Sequence, residues 1–134
     1  MEEVLRSIAT TLGATRIEKR PSPDYLWFKG RQLIVAVEHE NNFGDDILEK
    51  ELPALLRTEA RLRVLITYPH LHQMPASDFA TKIEKELQET LTPDKDPEFL
   101  LLLDSTRWAA TPSEEAWSYY VWKFALKKTE GWIA

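Results

Sequence analysis

Residues 33 to 37 read Leu-Ile-Val-Ala-Val, and the run closes on Glu38, His39 and Glu40. A run rich in β-branched residues favours an extended strand. With no polar face, that strand belongs in the interior of a sheet covered by helices on both sides. Two carboxylates two positions apart at the end of a buried strand lose hydration and repel each other. A cation held between them relieves both penalties, so the placement predicts a metal ion. The plainer alternative is a strand end opening into a solvated loop, with Asn41 and Asn42 as turn residues.

The surroundings of the run predict an α/β fold. Val4, Leu5, Ile8, Ala9 and Leu12 recur with a helical period that Gly13 closes. Residues 16 to 20 form a first strand ended by Pro21-Ser22-Pro23. Residues 24 to 28 and 32 to 40 form a hairpin about Lys29-Gly30-Arg31. Asp45 is suited to cap a helix with Ile47, Leu48, Leu52, Leu55 and Leu56 inward, which Pro53 kinks or restarts. A strand over 63 to 68 follows. Then comes a helix capped by Ser77 with Phe79, Ile83, Leu87 and Leu91 on one stripe, and strands at 99 to 103 and 117 to 126. The expected order is helix, three strands, helix, strand, then an added helix and two strands, in one domain spanning residues 1 to 134.

A three-residue turn at 29 to 31 pairs Phe28 with Gln32 and sets Asp24 opposite Ala36. Side chains alternate along a strand, so Asp24, Glu38 and Glu40 then share one face, with Asp24 and Glu38 diagonal neighbours. A two-residue turn would put Asp24 on the other face. Three converging carboxylates make an oxygen-rich pocket suited to magnesium or manganese. His39 points away from them and reads as a packed, hydrogen-bonded side chain, while His70 and His72 read as a surface loop.

Helix, three strands, helix, strand, with Pro23-Asp24 on the second strand and Glu38-His39-Glu40 on the third, resembles the PD-(D/E)xK nuclease superfamily over about residues 1 to 68. The departure is Glu40, which stands where that family usually has lysine. The resemblance implies a restriction-endonuclease-like core (αβββαβ) in a mixed sheet flanked by helices, and magnesium-dependent hydrolysis of nucleic acid, DNA first among the candidates. It implies Asp24 and Glu38 as metal ligands, and Glu40 as the group that positions or deprotonates the attacking water. Lys29 and Lys50 are candidates to replace the missing cation, and Glu3 is either an additional acid of the metal site or an N-terminal acid serving the helix dipole.

The chain has no cysteine, which removes thiolate metal sites and cysteine nucleophiles. No apolar run reaches membrane-spanning length and the acidic N-terminus is unlike a signal peptide, so a cytoplasmic protein is expected. The net charge of -5 opposes simple electrostatic binding of nucleic acid, although acids neutralised by metal would weaken that objection. The rival expectation is therefore a catalytically inactive module of the same fold, binding nucleic acid or protein. A homodimer suits either reading. The aromatic and lysine-containing segment at 117 to 128 reads as a packed strand in preference to a base-stacking surface.

Overall fold

A computed structural model describes residues 2–40, 47–68, 75–90, 98–104, 117–123 and 128–132. Among these residues three helices and seven strands alternate in chain order: α1 (Glu2–Thr11), β1 (Arg16–Lys19), β2 (Tyr25–Lys29), β3 (Gln32–His39), a π-helical turn (Ile47–Glu51), α2 (Leu52–Leu56), β4 (Leu62–Thr67), α3 (Ala76–Thr90), β5 (Glu98–Asp104), β6 (Trp117–Lys123) and β7 (Lys128–Trp132). The strands lie side by side in sequence order in one mixed sheet. β1, β2 and β3 are antiparallel neighbours, β3, β4 and β5 run parallel, and β6 and β7 return antiparallel. The chain thus has an α/β fold. No helix among the described residues is long and apolar enough to cross a membrane.

The two parallel crossovers step in the same direction across the sheet, and right-handed connections of that kind bring their helices to one face. α2 and α3 accordingly bury Leu52, Leu55, Phe79, Ile83 and Leu87 against Leu26, Ala36, Leu65, Phe99 and Leu101. α1 covers the other face, with Leu5 and Ala9 on Trp27, Val35, Val37, Val64 and Ile66. The doubly apolar β3 is thereby covered on both sides. Val4, Ile8 and Leu12 share the apolar arc of α1 but remain about half exposed, because Leu5 and Ala9 sit at the centre of the contact.

The restart expected at Pro53 is present: the π-helical turn gives way to α2 at Leu52, with Pro53 in the first turn of α2. Other sequence expectations need correction. α3 begins at Ala76, and Phe79 N–H bonds to the Pro75 carbonyl, so Ser77 is inside the helix and does not cap it. β7 was not anticipated; its sequence, Lys-Thr-Glu-Gly-Trp, has little apolar content to announce a strand. The Asp45 cap, Leu91, His70 and His72 fall outside the described residues, as do the side chains of Ile47 and Leu48.

The hairpin departs from expectation in a way that bears on the site. Lys29 pairs with Gln32, so the turn has two residues, with Gly30 at φ +61°. Between that pair and Trp27↔Val35 the register shifts, because Ile34 is an extra residue in β3. Ile34 and Val35 both face α1, while Leu33 and Ala36 face α2 and α3. A bulge of this kind changes which side of the sheet the rest of the strand presents. It cancels the side reversal that the shorter turn would otherwise impose.

Candidate functional site

Past the bulge, Tyr25 pairs with Val37. One step further along the same register, Asp24 comes level with Glu38, not with Ala36. The two carboxyl groups are bonded to each other, and Glu38 is only 3% exposed. Burial first, then the negative charge of Asp24, their shared hydrogen bond and the charge of Glu51 push the Glu38 carboxyl up from 4.5 to about 8, against a lowering bond from Ser22. Protonated Glu38 is thus the donor to Asp24 near neutral pH. Ser22 Oγ donates to Glu38 Oε2 at 3.3 Å, from the Pro21-Ser22-Pro23 segment whose Ser22–Pro23 peptide is cis.

Asp24 also has a backbone role. Its Oδ2 accepts the His39 N–H at 2.9 Å, beyond the point where β2 supplies carbonyls to β3. The Asp24 carbonyl in turn accepts the Arg20 N–H, tying the segment to the end of β1. On the opposite face His39 Nε2 and Tyr68 Oη are 2.8 Å apart, with their rings tilted and 5.6 Å between centroids. Burial lowers the pKa of His39. His39 is therefore a packed, hydrogen-bonded histidine at the edge of the site.

Glu40 continues the ladder of β3, its N–H bonding to the Ile66 carbonyl and its own carbonyl accepting Thr67 Oγ1 at 3.0 Å. Its side chain is half-buried. The carboxylates that press on Glu38 are Asp24 and Glu51, whereas the charge of Glu40 acts on His39. Glu51, at the end of the π-helical turn, is the acid that sequence reasoning missed. Its only signal was position, in the first helical segment after the Glu38-His39-Glu40 strand end.

Lys29 ends β2 at the hairpin turn, the far end of the sheet from Glu38. Lys50 precedes Glu51 and is exposed, and Glu3 is exposed on α1, the helix that covers the face opposite Ala36. Among the described residues no three His, Asp or Glu side chains are grouped to hold a metal ion. The donor chemistry of Asp24 and Glu38 nevertheless fits a hard divalent cation, since magnesium is commonly held by one or two carboxylates and water. Two hydrogen-bonded carboxyls that share a proton, one of them buried, are the kind of pair whose full ionisation a cation favours. No family model matches this chain, and no curated protein or solved structure matches it either.

Proposed function

We propose that this chain is a metal-dependent nuclease-like protein of restriction-endonuclease-like fold that hydrolyses phosphodiester bonds in nucleic acid, with DNA the first substrate to test. The observation that carries the reading is the hydrogen-bonded Asp24–Glu38 pair at the end of β3, with Glu38 buried and Glu51 pressing on it. The order of α1, β1 to β3, α2 and β4 around that pair supports it further. Magnesium or manganese held there would polarise a phosphoryl oxygen and lower the pKa of a bound water.

The chain's own contributions are distinct. Asp24 and Glu38 are the ligands. Ser22 orients Glu38, and the His39 N–H orients Asp24. Glu40, next beyond the pair on the same strand, is the acceptor for the proton of the attacking water. Duplex cleavage by a protein of this size calls for two copies, one for each strand, so a homodimer accompanies the proposal.

The test is cleavage of plasmid and single-stranded DNA with magnesium or manganese by the wild type, Asp24→Asn and Glu38→Gln, each checked for folding by circular dichroism. Loss of cleavage in both folded variants supports the site. Persistent cleavage in both overturns it. A second reading, a non-catalytic binding module, is favoured by glutamate at position 40 and by the net charge of -5. Calorimetric titration of magnesium and manganese separates the two, because binding that requires Glu38 belongs only to the first.

A further inference from the structure

Among the described residues, five basic side chains gather at one end of the sheet. At the end of the sheet away from Glu38, Arg16 opens β1, Lys29 and Arg31 flank the Gly30 turn, Arg57 ends α2, and Arg61 leads into β4. All five are exposed. Among the described residues Lys29, Arg31, Arg57 and Arg61 form no ion pair, while Arg16 Nε lies 3.8 Å from Glu18. Among the described residues the other acids nearby include Glu59 in the same loop, Glu98 opposite Leu62 at the start of β5, and Glu86 beside Arg57 in the cleft between α2 and α3.

The rim is also built to stay in place. Gly30 N–H donates to Thr15 Oγ1 at 2.9 Å and Thr15 N–H to the Phe28 carbonyl at 2.7 Å, which ties the hairpin turn to the start of β1. The Arg16 guanidinium lies over the Phe28 ring at 4.3 Å. Buried Arg63 donates from Nη2 to the Thr58 carbonyl at 2.7 Å, holding the segment between Arg57 and Arg61 down on the sheet.

We infer that this rim, formed by Arg16, Lys29, Arg31, Arg57 and Arg61, is a docking surface for the phosphate backbone of nucleic acid, separate from the carboxylate pair. The choice of nucleic acid rests on the proposed function and on three features of the rim. Its charges fan out across β1 to β4, roughly 14 Å at the usual strand spacing, which suits a repeating anion better than a single small one. That width matches about four nucleotide steps of one strand at 3.4 Å each. Four of the five are arginines, whose forked donors match phosphate oxygens. Finally, among the described residues the exposed large apolar side chains, Val4, Ile8 and Leu12, are all on α1 and none is on the rim. A membrane-docking surface would combine basic groups with apolar anchors.

The test is fluorescence anisotropy of labelled duplex and single-stranded oligonucleotides in EDTA, so that neither metal nor cleavage enters the readout. For the wild type on duplex, log K against log salt should have a slope of about −3, corresponding to three or four neutralised phosphates. Lys29→Gln, Arg31→Gln and Arg61→Gln should each lower the magnitude of the slope by about one, and together they should reduce affinity at least tenfold at fixed salt. Lys82→Gln with Lys85→Gln, exposed on α3, should leave it unchanged. Equal losses in the rim and α3 variants overturn the assignment. So does the absence of nucleic acid binding, or binding to anionic phosphatidylserine vesicles alone. Rim-dependent binding without cleavage leaves this surface standing and removes only the nuclease reading; cleavage without rim dependence does the reverse.

Discussion

Replacing Glu38 by glutamine should stabilise the metal-free protein, and by an amount that grows with pH. The folded chain holds the Glu38 proton up to about pH 8, whereas the unfolded chain releases it near 4.5. Because the folded pKa is the higher one, the associated stability is fully present below the unfolded pKa and is lost as pH rises toward the folded pKa. Each pH unit in that window favours unfolding by about 1.4 kcal/mol. The accumulated loss is roughly 3 kcal/mol at neutral pH and on the order of 5 kcal/mol above the folded pKa. That is a sizeable part of the 5 to 15 kcal/mol, roughly, that holds a typical domain folded.

Glutamine has nearly the same shape, donates to Asp24 as the protonated acid does, still accepts from Ser22 and does not ionise. Urea unfolding followed by circular dichroism in EDTA, at about pH 5 and about pH 7.5, should give a Glu38→Gln gain of about 1 kcal/mol or less at the lower pH and a few kcal/mol at the higher. Magnesium should narrow the gap by favouring ionised Glu38 in the wild type. A gain that does not change with pH, or a variant less stable than wild type at the higher pH, would refute the burial and like-charge account.

Asp24→Asn keeps an oxygen for the His39 N–H, while Asp24→Ala leaves that donor without its acceptor; the alanine variant should be less stable than the asparagine one by about 1 to 3 kcal/mol in denaturant unfolding. Removing the Asp24 charge should also lower the pKa of Glu38, shifting the wild-type pH dependence toward acid in the same assay. Gly30→Ala should destabilise by about 1 kcal/mol even though its Cβ would meet nothing within 4 Å, because a left-handed φ of +61° strains any residue with a side chain. Phe79→Ala, at 1% exposure between α3 and the sheet, should lower stability by about 3 to 5 kcal/mol, read as an earlier denaturant midpoint with little change in slope.

Much of this molecule was determined by local sequence. The apolar run at 33 to 37 made β3 a doubly covered strand, helical periodicity marked α1 and α3, and Gly13 and Gly30 marked chain reversals through their positive φ. Pro23-Asp24 and Glu38-His39-Glu40 pointed to the acids, because carboxylates at the end of a buried strand are unusual on physical grounds alone. Tertiary structure decided what those acids do to one another. The two-residue turn would have separated Asp24 from Glu38, and only the extra residue at Ile34 returns them to one side. Glu51 joins them through the fold of the π-helical turn over the sheet. The segregation of the basic rim follows from strand direction, which brings Arg16, Lys29, Arg31 and Arg61 to one end of the sheet from distant parts of the chain. Sequence patterns report which side of its own element a residue occupies. The register between elements, and the charges that meet across it, depend on long-range pairing that no local pattern encodes.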